Sequence, residues 1–220
     1  CYNQTTLKLR GVTALGAWSS AAPLSTGRYL GGSFGTPTAG VISTGSTPVP
    51  ANVTDTEEYN GSGWTSGTAY PTPGYAFAGA GTQTAGLAAG GDYPVSTRVA
   101  TSNTYNGTSW TATGSLPVAS DNLSFCGNTR TGAIGAVGRT PATGNAGTNT
   151  SVVYDGSSFS SGPNLNTARM YGASAGSGTG TAGLIWGGFI DPSPNSMTNT
   201  EEYDGSSWTN GGSLNTASNF

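Results

Sequence analysis

The chain has 220 residues, with 37 Gly, 12 Pro, 10% aromatic and only 8% charged residues, and a formal net charge of −3. Disordered chains pair high charge with few aromatics, so this balance argues for a folded chain, and Gly, Thr and aromatics with few helix formers predict all-β structure rich in tight turns. The seven basic residues are scattered singly and no apolar run is long enough to cross a bilayer, which excludes nucleic-acid binding and membrane insertion from the expected functions.

The chain starts at Cys1 without an initiator Met or a leader-like segment, which fits a processed product or a piece of a longer one. Cys1 and Cys126 lack metal or redox spacing; they either pair in a disulfide or stay unpaired. From Trp18 onward a repeat takes over. The unit 19–64 carries Gly35-Thr-Pro-Thr-Ala-Gly-Val-Ile-Ser-Thr-Gly45 and then Thr56-Glu57-Glu58-Tyr59-Asn60-Gly61-Ser62-Gly63-Trp64. The unit 65–110 repeats both, as Gly81-Thr-Gln-Thr-Ala-Gly-Leu-Ala-Ala-Gly90-Gly91 and Tyr105-Asn106-Gly107-Thr108-Ser109-Trp110. In 111–159 a looser copy ends at Gly138, followed by Tyr154-Asp155-Gly156-Ser157-Ser158-Phe159. The unit 160–208 has Gly178-Thr-Gly-Thr-Ala-Gly-Leu-Ile-Trp186-Gly187-Gly188 and Thr200-Glu201-Glu202-Tyr203-Asp204-Gly205-Ser206-Ser207-Trp208. The anchoring aromatics Trp18, Trp64, Trp110, Phe159 and Trp208 are 46 to 49 residues apart. Ten residues beyond each lies Arg28, Gly74, Ser120, Arg169 or Ser218. Three landmarks in one register define a tandem repeat.

Each unit reads as four short strands. Two small-residue strands are joined by a Gly/Thr turn; a longer loop follows, then two strands joined by Asn-Gly or Asp-Gly, which tolerate the positive φ of hairpin turns. Small residues suit strands that converge on a propeller axis, and the outer Tyr and Trp fill the wider space between blades. The fold expected is therefore a single all-β domain over 1–220, a β-propeller of four-stranded antiparallel blades. Five blades are expected, the last shared by 209–220 and 1–18 and short by about a strand and its turn.

A Gly-Gly pair after an apolar strand, then Tyr and Trp on later strands, resembles the kelch repeat. Gly90-Gly91 with Tyr105 and Trp110, and Gly187-Gly188 with Tyr203 and Trp208, carry the likeness. Gly45 and Gly138 each stand without a second Gly, and Tyr and Trp are closer together than in typical kelch units. The Gly/Thr/Ser-rich, charge-poor style is also similar to kelch-like repeats of phage tail and virion proteins. Those resemblances imply the propeller fold and a place outside the cell or on a virion.

Chemistry is sparse. The chain has no His, which removes the commonest general base and metal ligand, and with it the copper-oxidase chemistry of some kelch-like propellers. Glu57-Glu58 and Glu201-Glu202 are sequence neighbours, so on a strand they point to opposite faces and cannot flank one substrate. They read as structural or edge-protecting charges. The Tyr and Trp series reads as inter-blade core. No catalytic residue, metal or cofactor is expected, and the chain is expected not to be an enzyme. Binding falls to loop residues that break the repeat: Asp92, Tyr93 and Arg98 in one unit, and Trp186, Phe189 and Asp191 in another. Their partner is a cell-surface glycan or a protein, including other virion subunits.

Overall fold

The computed structural model describes residues 21–48, 51–93, 97–127, 131–136, 138–143, 146–175, 181–190 and 193–218 (backbone alone at 193–195), with the backbone pairing of Tyr2–Asn3 to Lys8–Leu9. The described residues are all-β and form four-stranded antiparallel sheets set in a ring, a β-propeller. From the axis outward, the first blade is Gly32–Thr36, Ala39–Ser43, Thr56–Tyr59 and Trp64–Gly67. The second is Ala78–Thr82, Ala85–Ala89, Ser102–Tyr105 and Trp110–Ala112. The third is Ser124–Cys126, Ala133–Ala136, Ser151–Tyr154 and Phe159–Ser161. The fourth is Ala173–Ala175, Gly183–Trp186, Thr200–Tyr203 and Trp208–Asn210. Four such blades stand among the described residues, one fewer than expected. The terminal blade falls largely on residues outside the description.

The small inner residues have the steric reason anticipated for them. A Cβ on Gly86 would stand against the Phe34 ring of the preceding blade, and one on Gly79 would clash with the Ser33 carbonyl of that same blade. Farther out, register places each Tyr opposite the aromatic across the turn: Tyr59 with Trp64, Tyr105 with Trp110, Tyr154 with Phe159 and Tyr203 with Trp208. Those ring centroids lie 5.0, 4.7, 4.6 and 5.1 Å apart, in contact range for aromatic pairs. In the second, third and fourth blades the Tyr of the pair is buried against the blade before it. One core joins Leu87 and Ala89 of the second blade to Phe125 and Tyr154 of the third; another joins Cys126 and Ile134 to Ile185, Tyr203 and Trp208. Cys126 is a free thiol, and burial pushes its pKa up to about 11.

Each outer hairpin turns through four residues. The side chain of Asn60 accepts from the backbone N–H of Ser62 and Gly63 at 3.0 and 2.9 Å; Asn106, Asp155 and Asp204 repeat the arrangement. Asn and Asp interchange because only an acceptor oxygen is needed. Backbone donors from Ser158 and Ser157 hold the Asp155 carboxyl far below its usual value, and those from Ser206 and Ser207 hold Asp204 at about 2.

The edge-protecting reading of the glutamates requires a correction, while the structural one holds. Glu57 and Glu201 are buried on third strands and protect no edge. Arg169, itself buried, donates to Glu201 at 2.7 Å and to the carbonyls of Gly187 and Asn199; the N–H groups of Asn166 and Thr167 complete the carboxylate. Arg28 and Glu57 repeat the clamp at 2.6 Å, with the N–H groups of Ser25 and Thr26. Burial raises the Glu57 pKa, but those N–H donors and Arg28 outweigh it and leave it lowered. The landmark ten residues beyond the aromatic is thus half of an ion pair in two blades.

Candidate recognition face

The antiparallel weave brings the start of each inner strand and the end of each second strand to one end of the propeller. The hairpin turns lie at the other. At the first end, the second strands finish in a left-handed pair: Gly90 and Gly91 have φ of 70° and 94°, and Gly187 and Gly188 have 65° and 87°. The first blade makes the same bend with Thr44 at 59° and Gly45 at 110°. The second residue of the pair must be Gly for a local reason. Its N–H reaches the next blade's landmark: Gly45 to the carbonyl of Gly74, Gly91 to Ser120, Gly138 to Arg169 and Gly188 to Ser218, at 2.8 to 3.2 Å. A Cβ there would lie 2.6 Å from the Phe77 ring at Gly91, and 2.5 Å from the Met170 carbonyl at Gly188.

The residue after this bend pairs back to the inner-strand entry in every blade: Ser46 with Tyr29, Asp92 with Tyr75, Arg139 with Asp121, and Phe189 with Met170. One step further, Leu30, Ala76, Asn122 and Tyr171 all have φ between 52° and 58°. Left-handed backbone costs a non-Gly residue about 1 kcal/mol or more, and such residues cluster where a side chain must be aimed. These four line the mouth of the central channel, a cavity of about 440 Å³ with Phe77 and Leu123 in its walls. Below it the inner strands of all four blades line an open cavity of about 490 Å³. Tyr29 and Leu30 are exposed at the rim.

Between the second and third blades the rim is charged. Arg98 donates to Asp121 at 3.1 Å, and Arg139 holds the other oxygen of the same buried carboxylate. Asp92 is only 3% exposed and its Oδ1 has no hydrogen-bond partner. Burial, then repulsion from Asp121, raise its pKa. Tyr171 stacks on Phe189 with centroids 5.3 Å apart, and the Arg139 guanidinium lies 5.8 Å from the Tyr171 ring.

Of the loop residues expected to bind, Asp92 and Arg98 are cross-strand partners in a small hairpin, with Tyr93 beside them and its hydroxyl 2.9 Å from Thr101 Oγ1. Phe189 opens the corresponding hairpin of the fourth blade. Trp186 is not on a loop: it is the last residue of a second strand, paired with Ala173 and Thr200. Among the other expected positions, Asp191 and Trp18 lie outside the described residues. Leu30, Asp121, Asn122, Arg139 and Tyr171 were not anticipated. Their signal was available, since the residue after the Gly bend and the residue twelve beyond the aromatic occupy the same place in every unit.

No known family model matches this chain, and no curated protein matches it.

Proposed function

We propose that the chain is a non-enzymatic binding module of an extracellular or virion-associated assembly, serving adhesion, receptor recognition or assembly on a phage-like particle. One observation carries this reading. Equivalent positions at one end of a repeated scaffold hold Ser46, Asp92, Arg139 and Phe189, and, around the channel mouth, Leu30, Ala76, Asn122 and Tyr171. Repetition elsewhere maintains the blades; divergence here supports one composite recognition surface on a rigid frame. The kelch-like pattern and charge-poor Gly/Thr style favour the same class. The close carboxyl pair described at this face, Asp92 with Asp121, is buried, and Arg98 and Arg139 both hold Asp121, an arrangement that suits structure better than general acid–base work.

The alternative is a secreted lectin with sugar sites between blades. Such a lectin repeats its site residues, and a four-way difference at equivalent positions weighs against it. The labelled chain, applied to a glycan array and to a panel of bacterial cells, tests both. Single-site binding lost in Leu30→Arg and kept in Thr38→Ala, at the turn end, is the expected result. Saturation at one sugar per blade overturns it in favour of the lectin.

A further inference from the structure

Among the described residues, no charged side chain lines either cavity on the propeller axis. The mouth has apolar walls in Leu30, Ala76, Leu123 and Tyr171. Two polar side chains join them, Asn122 and Ser33, and neither makes a side-chain hydrogen bond among the described residues. Ser33, Phe77 and Ser124 border both cavities, so the mouth opens into the space below.

That lower space is walled largely by backbone. Each inner strand hydrogen-bonds to a neighbouring strand on one side only, so its other edge, a row of N–H and C=O groups, faces the axis. Small residues such as Gly79, Gly81, Ala173 and Ala175 keep these edges clear. Hydroxyl groups already use carbonyls here. Ser174 Oγ donates to the Phe125 carbonyl of the third blade at 2.9 Å, and Ser124 Oγ donates to the Gly172 carbonyl of the fourth.

We infer that the axial cavity binds the exposed end of an uncharged glycan, inserted end-on, one per chain. This rests on the proposed recognition role of the channel mouth and narrows its partner to one chemical class. A charged group entering the cavity sheds its hydration and meets no counter-charge in the wall. A purely apolar ligand leaves the strand edges below without partners. A pyranose end meets both demands. Its C–H surfaces pack against Leu30 and Leu123, and its hydroxyls, each both donor and acceptor, radiate to Asn122, Ser33 and several strand edges at once. An extended peptide pairs along one edge only, and the four edges that converge here belong to strands of three to five residues.

A plug inserted after folding tests this. Ser33 is exposed within the cavity, and Thr38 is exposed at the turn end. Chains carrying Cys1→Ser with either Ser33→Cys or Thr38→Cys are folded and then alkylated with N-ethylmaleimide, to which buried Cys126 is silent. Each is applied, before and after alkylation, to an array of neutral, sialylated and sulfated glycans and to the panel of bacterial cells. Neutral glycans are expected to bind at one site per chain, and sialic acid capping of the same glycans abolishes binding. Alkylation at 33 weakens binding about tenfold or more, and alkylation at 38 leaves it unchanged. Cell binding that survives the plug, that follows charged glycans, or that is lost on protease but not periodate treatment of the cells overturns the proposal and leaves the binding module standing. Cell binding with no neutral glycan bound does the same. A chain that binds neither glycans nor cells before alkylation overturns both. If Ser33→Cys does not fold, saturation-transfer NMR of the unaltered chain with the array's strongest neutral glycan decides. Contacts confined to the terminal sugar support end-on insertion, and contacts spread along the glycan overturn it.

Discussion

At the scale of single residues, the clamp of Arg169, Asn166 and Thr167 around Glu201 shows how a charge is kept in a charge-poor protein. Arg169 and Glu201 are both buried, so removing one leaves the other uncompensated. Arg169→Ala is expected to cost about 3–5 kcal/mol, read from chemical denaturation. The third blade occupies the same two positions with Ser120 and Val152. Substituting both together, Arg169→Ser with Glu201→Val, is expected to recover most of that loss, since no unpaired charge remains. Asp92 presents the opposite case. Its raised pKa means that folding favours the protonated form: the contribution is fully present below the ordinary aspartate value and is lost as pH rises through the folded value. Asp92→Asn is therefore expected to stabilise the fold at pH 7 by about 1–2 kcal/mol, with little effect at pH 3, in paired urea titrations. Neither role was legible in the sequence. Glu57 and Glu201 announce themselves as repeated charges, but burial depends on Arg28 and Arg169, which lie about thirty residues away and meet them only after the blade closes.

At the scale of elements, turns and bends were largely legible because their chemistry is local. Asn60, Asn106, Asp155 and Asp204 each satisfy their own turn within three residues. The Asp155 carboxyl, held low by its Ser158 and Ser157 donors, stabilises the turn above its unfolded value and loses that contribution as pH falls through the folded one. Asp155→Asn is expected to leave the denaturation midpoint at pH 7 unchanged and to reduce the loss below pH 3, by analogy with Asn60 and Asn106. The Gly bend is less forgiving. At Gly188, φ is 87° and a Cβ would meet the Met170 carbonyl, whereas a Cβ on Gly63 meets nothing within 4 Å. Gly188→Ala is expected to destabilise by about 1–3 kcal/mol and Gly63→Ala by under about 0.5 kcal/mol, measured by thermal unfolding. The Gly pair was visible in the sequence as a repeat landmark. Its task of donating to the next blade was not, because Gly91 and Ser120 are joined by topology rather than by local pattern.

At the scale of the whole molecule, period and residue size were enough to read a propeller, because small residues near an axis and aromatics far from it are required by the geometry of converging sheets. The recognition face was only half legible. Asp92, Arg98 and Phe189 stood out as departures from the repeat, and the structure places them at one end. Trp186 also stood out, but strand pairing sets it within the fourth blade's sheet. Leu30, Asn122 and Tyr171 escaped notice because Leu, Ala, Asn and Tyr all adopt the same left-handed angle, so side-chain identity does not mark the position and only its constant offset of twelve from the aromatic does. The partition of the chain into blade-building and recognising positions is tested most directly by one saturation scan. Every position is substituted on displayed protein, selected for protease resistance, and then selected for binding to whichever glycan or cell the array identifies. Resistance-sensitive positions are expected to recur with the repeat's step, whereas positions sensitive in binding alone gather at the channel mouth around Leu30, Asn122 and Tyr171 without recurring. Binding-only positions that repeat in every blade, or that lie at the Asn60 and Asp155 turn end, contradict the account.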